Sequence, residues 1–178
     1  MSGSILLSHP SLQDPNFYKS IVFLSNHCED EGTLGVILNR PLGKQLFQLD
    51  DQFKNFALGE AEVFDGGPVD KEKLIIAAWD WKDNAQTFRL HFGIDISKAE
   101  SLREENKNIK IACFLGHSGW SPGQLEKELK VDSWLVSSLN LGLFEKVHTH
   151  ADCWKSAISG VSDEMKLLAN EPENPSLN

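Results

Sequence analysis

The sequence predicts one α/β-type domain of the α+β kind, in which short strands form a sheet and a few helices pack against it. The chain has 178 residues, of which 40% are hydrophobic, so it is long enough for one core and too short for two ordinary domains. Short apolar runs closed by glycine, proline or polar residues indicate the strands, and capped segments with helical spacing indicate the helices. We assign residues 1–170 to this domain.

Three strands are predicted in the first third of the chain, at residues 4–8, 20–25 and 34–39. Their nearly continuous apolar composition is typical of strands that are covered on both faces. Pro10 and Pro15 lie between the first two strands and favour turns there.

The middle of the chain combines helical spacing with further strand patterns. A short amphipathic helix is predicted between residues 42 and 60. Residues 61–69 end a strand in a double glycine, and the runs 73–79 and 86–92 predict an antiparallel pair with a turn at 82–85. The helix prediction rests on four apolar residues: Leu46, Leu49, Phe53 and Phe56.

Two later helices have identifiable starts. Ser97 and Glu100 form the pattern of a capping box, which predicts a helix that ends near Asn106. The run 109–116 is the strongest strand prediction in the chain. The next helix start combines an N-cap serine, a proline at the first helical position and a glutamine three residues after the cap: Ser121, Pro122 and Gln124.

The C-terminal region predicts one further helix and a tail. The helix is indicated by an apolar stripe with offsets of three and four, and it should pack on the sheet. Beyond it, residues 171–178 are acidic and contain two prolines, so we expect a disordered tail. The stripe consists of Trp154, Ile158, Val161, Met165 and Leu168.

Composition limits the classes of function. The formal net charge is −9 and no window is rich in lysine or arginine, which argues against direct nucleic-acid binding. Neither a secretory leader nor a membrane span is encoded, so we expect no membrane association. The cysteines are odd in number and outside any C-x-x-C motif, which fits reduced thiols in the cytoplasm. They are Cys28, Cys113 and Cys153.

The segment Phe-Leu-Gly-His-Ser-Gly-Trp at 114–120 predicts one alternative function. Its strand, serine and following helix resemble the nucleophile elbow of an α/β-hydrolase, with Ser118 as nucleophile. That elbow needs glycine two residues after the serine, where this chain has Trp120, so we favour a glycine-rich loop that presents the tryptophan. A hydrolase would use downstream residues as acid and base: Asp132 or Asp152, and His148 or His150.

A second alternative is a metal site. His148, His150 and Cys153 are metal-ligand types, and His27 and Cys28 could join them from elsewhere in the chain. Structural zinc sites normally show paired ligands at set spacing, and only half of such a pattern is present. We therefore expect neither a metal nor another cofactor, with the cysteine as a small apolar residue and the histidines at the surface.

Two further motifs are weaker. Gly66-Gly67-Pro68 lacks both phosphate-binding glycine patterns and is better explained as a tight turn. A helix-turn-helix could be placed on 122–140, but its second helix would present Trp134 and other apolar residues where base-reading side chains are needed.

Arg40 follows directly on a predicted strand, in Asn39-Arg40-Pro41. A guanidinium at a strand end can bind an anion or pair with a carboxylate of the same chain, and the second arrangement is the more common one. Both remain open from the sequence.

Taken together, several motifs resemble the YqgE/AlgH family. They are Asp-Pro-Asn-Phe-Tyr-Lys-Ser-Ile-Val-Phe-Leu at 14–24, Gly-Val-Ile-Leu-Asn-Arg-Pro at 35–41, Val-Phe-Asp-Gly-Gly-Pro-Val at 63–69, Gly-Trp-Ser-Pro-Gly-Gln-Leu-Glu-Lys-Glu-Leu at 119–129 and Ser-Trp-Leu-Val at 133–136. The resemblance implies a largely antiparallel, curled, barrel-like sheet flanked by helices. It implies no catalytic residue, because the family has no established activity. One branch is labelled a transcriptional regulator through a genetic association with alginate production.

We therefore expect a non-enzymatic binding or regulatory domain, with a possible indirect role in transcriptional regulation and an unknown protein or small molecule as partner. The expected surface combines the strand exit at 39–41, the turn at 66–68 and the loop at 117–126, where turns after strands commonly present binding groups. The alternative is a small serine hydrolase that uses Ser118. The candidate ligand contacts are Asn39, Arg40, Gly66, Gly67, Trp120 and Gln124.

Overall fold

A computed structural model describes residues 1–82, 87–147 and 152–170 of the chain. Within these ranges nine strands form one sheet. The strands are β1 Ser4–Ser8, β2 Ile21–Cys28, β3 Gly32–Ile37, β4 Pro41–Gln45, β5 Glu62–Asp65, β6 Val69–Trp81, β7 Phe88–Ile94, β8 Lys110–Trp120 and β9 Trp134–Ser138.

The sheet is mixed and open. Its order is β4-β5-β8-β3-β2-β1-β9, and β6 and β7 extend it from β8. All described strand pairs are antiparallel except β5 with β8. Among the described strands, β4, β7 and β9 each have a partner on one side only. The mixed α+β fold agrees with the prediction, but the sheet does not close, so its barrel-like form is not confirmed.

Strand β8 organises this sheet. Its first half lies between β5 and β6, where Cys113 is opposite both Val63 and Ile76, and its end pairs with β3. Gly116 lies between the two halves with φ +70, a conformation that favours glycine. The prediction ended this strand at residue 116, but it continues to Trp120 because β3 provides a second partner there.

The core covers both faces of β1 to β3, as their apolar composition predicts. Ile5 and Leu7 pack with Phe23 on one face, in the cluster that includes the C-terminal helices. Leu6 points to the other face and packs in a second cluster with Leu125. This second cluster holds the helix that follows β8 against the sheet.

Five α-helices lie in the described ranges, together with three 3₁₀ turns. In these ranges, no helix has both the length and the apolar character needed to cross a bilayer. The helices are α1 Ile96–Glu105, α2 Gln124–Lys130, α3 Leu141–Val147, α4 Cys153–Ser159 and α5 Asp163–Leu168. The 3₁₀ turns are Leu46–Gln48, Asp51–Asn55 and Ala57–Glu60.

The amphipathic helix predicted between 42 and 60 is wrong. The segment begins with strand β4 and continues as the three short 3₁₀ turns. The Asp50 side chain accepts a hydrogen bond from the Gln52 backbone N–H, and Phe56 is extended between two of the turns. These local bonds interrupt the ladder of a continuous helix. The apolar spacing still marks residues that face the core, because Leu46 is buried and Leu49, Phe53 and Phe56 pack against the same cluster.

Two predicted helix starts are shifted. Helix α1 is capped by Asp95, which accepts from the Lys98 N–H, and not by Ser97. Helix α2 begins at Gln124 after Gly123 in the left-handed region. The Ser121 N–H still donates to the Gln124 side chain at 3.0 Å, so half of the predicted box forms one turn earlier than the helix.

The single C-terminal helix is also wrong, because the stripe is divided between α4 and α5. Ser162 caps α5 by accepting from the Met165 N–H at 3.2 Å, which ends the first helix and starts the second. Val161 lies at this break and is 45% exposed. The predicted tail at 171–178 and residues 83–85 of the turn predicted at 82–85 lie outside the described residues.

The helix-turn-helix alternative is excluded by the structure. Its second helix would span Trp134–Ser138, which is strand β9 and pairs with β1. Trp134 is buried in the core, as expected for an apolar strand residue.

Candidate functional site

The three segments of the predicted surface lie next to one another. The Ile37 N–H donates to the Gly66 carbonyl at 3.0 Å, and the Asp65 N–H donates to the Arg40 carbonyl at 2.8 Å. A Cβ added at Gly67 would lie 2.5 Å from the His117 carbonyl carbon, so the turn and β8 are in close contact. The backbone therefore joins the strand exit, the turn and the end of β8.

The side chains of Asn39 and Arg40 bind the connection between β1 and β2. The Asn39 side chain accepts from the Ile21 N–H at 2.8 Å and donates to the Lys19 carbonyl at 2.9 Å. The Arg40 guanidinium donates to the carbonyls of Asn16 at 2.6 Å and Tyr18 at 3.0 Å. A third bond reaches the hydroxyl of the residue before β2, Ser20, at 2.9 Å.

The sequence left open whether Arg40 binds an anionic ligand or a group of its own chain. The structure supports the second alternative, with backbone carbonyl oxygens as the main acceptors in place of a carboxylate. Burial lowers the pKa of the Arg40 guanidinium, and the carboxylates of Asp65 and Asp14 act in the opposite direction. Arginine remains charged at neutral pH, so the three bonds are charge-assisted. A role of Asn39 or Arg40 in ligand contact remains a prediction, because both already hold the connection.

The same connection carries Phe17, which packs against two tryptophans. Its ring is stacked with Trp120 at a centroid distance of 5.9 Å and meets Trp134 edge-on at 5.3 Å. The tryptophans are themselves edge-to-face at 5.8 Å. Such pairs stabilise a core by roughly 0.5–1.5 kcal/mol beyond burial of their area.

Glu128 on α2 connects these rings to the helix. Its Oε2 accepts from the indole N–H of Trp120 at 2.9 Å and from that of Trp134 at 2.7 Å. Its Oε1 accepts from the Gln124 side chain at 2.9 Å. One carboxylate thus satisfies both buried indoles and fixes α2 on the sheet.

We call this set the signature network. It contains residues from four of the five motifs that carry the family resemblance, and every polar member has a partner inside the chain. Its members are Phe17, Asn39, Arg40, Trp120, Gln124, Glu128 and Trp134.

Gly66 and Gly67, the turn residues in the remaining motif, are required by packing. A Cβ at Gly66 would overlap the Gly116 carbonyl oxygen, and Gly67 has φ +141. Only glycine fits such close backbone approaches. The predicted tight turn, which the structure places against β8, explains both residues without a ligand.

The structure does not support the serine hydrolase. Ser118 lies inside β8 and not on a turn between strand and helix, because β8 continues to pair with β3 past this residue. Its side chain is fully buried and its hydroxyl donates to the Gly66 carbonyl at 3.2 Å. A nucleophile must be exposed to substrate and activated by a base. The predicted bases His148 and His150 lie outside the described residues.

The described residues do not support the metal alternative. Among them, no three His, Cys, Asp or Glu side chains are placed so that they could hold one metal ion. Two of the three candidates, His148 and His150, lie outside the described residues. Cys153 is buried at the start of α4, and burial raises the pKa of its thiol.

A cleft of about 590 Å³ opens beside Trp120, where β2, β3 and the end of β8 meet. Ligand pockets have volumes of roughly 300–1,000 Å³, so the size fits a small molecule or a peptide side chain. We call it the Gly119 cleft. Its lining consists of Asn26, Glu31, Gly32, Thr33, Leu34, Val69, His117, Gly119, Trp120, Ser121 and Pro122.

Gly119 is a strand glycine with no structural requirement in the described part of the chain. The nearest atoms to a Cβ added there are side-chain atoms of Val69 at 3.8 Å and His117 at 4.0 Å, which are ordinary contacts. Its φ is not in the left-handed region, and it pairs in register with Leu34. Glycine within a strand costs about 0.5–1 kcal/mol relative to alanine, and commonly marks a place where a ligand approaches closely.

The Gly119 cleft contains polar groups that can accept hydrogen bonds from a ligand. His117 Nδ1 is buried and has no hydrogen-bond partner among the described residues. The only charged side chain among the lining residues is Glu31. Thr33, a lining residue, contacts His27, which does not line the cleft: Thr33 Oγ1 is 2.7 Å from His27 Nδ1. The other ring nitrogen, His27 Nε2, is 3.6 Å from Glu126 Oε1.

Sequence reasoning anticipated one end of this cleft and missed the other. The predicted surface included residues 117–122, but not Asn26 of β2, Glu31 of the turn that follows β2, or Thr33 of β3. The available signal is Gly119, the second glycine in the segment 114–120 that ends β8. The sequence predicts a loop at this position, and in a loop a glycine needs no further explanation.

These features define a single-domain α+β protein with an open mixed sheet, a tryptophan-centred network and a ligand-sized cleft beside it. The AlgH-like family model, DUF179, matches residues 5–166. The chain belongs to this family, which confirms the resemblance seen in its motifs.

Relatives of similar length support the assignment. A UPF0301 protein of Methylococcus capsulatus is 33% identical over 182 residues, covering 96% of this chain and 94% of its own. A UPF0301 protein of Streptomyces avermitilis is 31% identical over 186 residues, covering 100% and 95%.

Two solved structures share the fold. The crystal structure of a Corynebacterium diphtheriae protein matches with a TM-score of 0.71 at 20% identity, covering 95% of this chain and 91% of the other. The solution structure of the AlgH protein from Pseudomonas aeruginosa matches with a TM-score of 0.62 at 24% identity, covering 97% and 95%. At these identities the likeness concerns the fold alone.

Proposed function

We propose that this protein is a non-enzymatic binding domain that takes its ligand in the Gly119 cleft. The observation that carries the proposal is Gly119 itself. Among the β8 glycines, Gly116 is explained by its backbone and neighbours, whereas a Cβ at Gly119 would make only ordinary contacts, so neither backbone nor packing requires glycine there. The end of β8 is held in place beside Gly119, because the next residue, Trp120, donates its indole N–H to Glu128.

The charge of the cleft favours a ligand that donates hydrogen bonds. Glu31, His117 Nδ1 and the side-chain oxygen of Asn26 can all accept, and no lysine or arginine lines the cleft. A carboxylate with no cation beside it attracts a positive or neutral donor and repels an anion. An amine, an amide or a guanidinium is the chemistry that fits.

A regulatory role extends this proposal. An indirect part in transcription, through a bound ligand or a protein partner in the cytoplasm, agrees with a chain of net charge −9. Such a charge opposes direct contact with phosphates, so the domain acts on regulation through its ligand state.

The test is to fill the cleft without disturbing the fold. Gly119→Leu places a side chain over β8 where a Cβ makes only ordinary contacts. The matched control is Gly142→Leu on α3, where a Cβ is 3.5 Å from the Asn140 side chain and Gly142 does not line the cleft.

Purified wild type and both variants are incubated with extract from the native host, and retained small molecules and proteins are identified by mass spectrometry. The proposal expects at least one compound or protein bound by wild type and Gly142→Leu and lost from Gly119→Leu. Identical retention by all three proteins would contradict it.

A further inference from the structure

A second cavity lies away from the Gly119 cleft, between the end of α1, the start of β8 and α3. It has a volume of about 610 Å³ and shares no lining residue with the cleft. Its apolar lining includes Leu58, Ile109, Ile111 and Phe144. Phe144 is fixed by Trp79, whose ring centroid is 4.8 Å away.

Three cations line the same cavity. Arg103 and Lys107 are exposed and have neither an ion pair nor a side-chain hydrogen bond with any described residue. Lys110 pairs with Glu145 at 2.9 Å, and this glutamate is the one acid in the lining. The cavity therefore keeps a net positive edge on a chain whose overall formal charge is −9.

The charge of this cavity is opposite to that of the Gly119 cleft, whose one charged lining residue is Glu31. An apolar pocket shelters a hydrocarbon group, and free guanidinium and ammonium groups at its edge bind a carboxylate or a phosphate. A long-range field from the acidic remainder of the chain would repel a soluble anion, so an apolar part is needed to hold it. We propose that this cavity, which we call the Arg103 cavity, binds an amphiphilic anion with a short hydrocarbon tail and a carboxylate or phosphate head.

The contributions of the anionic head and the hydrocarbon tail to binding can be measured separately. Calorimetric titration of the whole chain uses octanoate and octyl phosphate as anionic probes, octylammonium as the same tail with the opposite charge, and acetate as a head without a tail. At least one anionic probe is expected to bind at least about tenfold more tightly than octylammonium and acetate. Failure of both anionic probes to bind would overturn the proposal, as would octylammonium binding of equal affinity that persists in Gly119→Leu, in which the Gly119 cleft is filled.

The site is located with a charge reversal. Arg103→Glu combined with Lys107→Glu is expected to weaken binding of the anionic probe by at least about tenfold. The control is Lys71→Glu with Lys73→Glu on the exposed start of β6, which makes the same change in net charge outside the cavity. Both cavity residues are exposed, so the variant should keep the melting temperature of the wild type. Equal weakening by the two double variants would show a general charge effect and refute the site.

Discussion

Trp120 and Gly119 are neighbours on β8 and face opposite sides of the strand. Trp120 is buried in the signature network, in which Phe17 covers its ring and Glu128 accepts its indole N–H. Gly119 is exposed in the Gly119 cleft, where His117 Nδ1 has no partner among the described residues. The network consists of satisfied groups that stabilise the fold, whereas the cleft retains an unsatisfied nitrogen and room for a ligand.

The residues of the recognisable motifs and the residues that could bind a ligand are largely different. Asn39, Arg40, Trp120 and Gln124 are the polar and aromatic residues expected to contact a ligand, and all four have internal partners. Partners inside the chain leave fewer groups for a ligand to use. Substitutions in the two regions should therefore have opposite effects: loss of stability in the network, and loss of binding without loss of stability in the cleft.

The largest effect on stability is expected from Glu128→Ala. It leaves the indole N–H groups of Trp120 and Trp134 without their acceptor, at about 1–3 kcal/mol each, so the free energy of unfolding should fall by about 2–6 kcal/mol. Urea denaturation followed by tryptophan fluorescence measures it. Lys130→Ala on the same helix is the control and should change stability by less than about 0.5 kcal/mol. A similar small change for Glu128→Ala would show that the carboxylate does not hold the network.

Arg40→Lys tests whether the guanidinium fork acts on the connection between β1 and β2. Lysine keeps the charge but cannot reach three acceptors in the same geometry, so a loss of about 1–3 kcal/mol is expected. Arg89→Lys, on the exposed face of β7, should have almost no effect. Ligand retention by the folded Arg40→Lys protein should match wild type, and a selective loss of ligand at unchanged stability would move Arg40 from the network to the site.

Ser118→Ala is expected to have a smaller effect. Removing a hydroxyl that donates to the Gly66 carbonyl should cost about 0.5–1.5 kcal/mol by the same denaturation measurement. A fluorophosphonate probe should leave Ser118 of the wild type unlabelled, since the side chain is buried inside a strand. An adduct on wild type that disappears in Ser118→Ala would revive the hydrolase alternative.

The sequence was most informative where structure depends on local patterns. The strand at 4–8 and the antiparallel pair of β6 with β7 follow directly from short apolar runs and their turns. Helical spacing at 42–60 was misleading, because spacing reports which residues are buried and not which hydrogen bonds form. The cap at Ser162 divided the last stripe for a similar reason.

The candidate site was less predictable because it depends on contacts between distant parts of the chain. The sequence marks Trp120 and Gln124 as candidates, but nothing in it distinguishes their acceptor, Glu128, from the other acidic residues of a solvated helix. The opposite wall of the cleft comes from β3, about 85 residues earlier, and only the pairing of Thr33 with Trp120 brings it there. Spacing along the sequence contains no direct record of that pairing.

Gly119→Ala has the smallest expected effect on the free energy of unfolding, and it should raise this free energy where the other variants lower it. If space at Gly119 serves a ligand and not the fold, a methyl group there should raise the free energy of unfolding by about 0.5–1 kcal/mol, because alanine restricts the unfolded chain. Gly66→Ala is the contrasting variant, since its Cβ would overlap the Gly116 carbonyl oxygen and should destabilise by about 1–3 kcal/mol. Thermal and urea denaturation of both variants measure the difference. Equal destabilisation by both would mean that Gly119 is another glycine required by packing, and the proposed cleft would lose its main support.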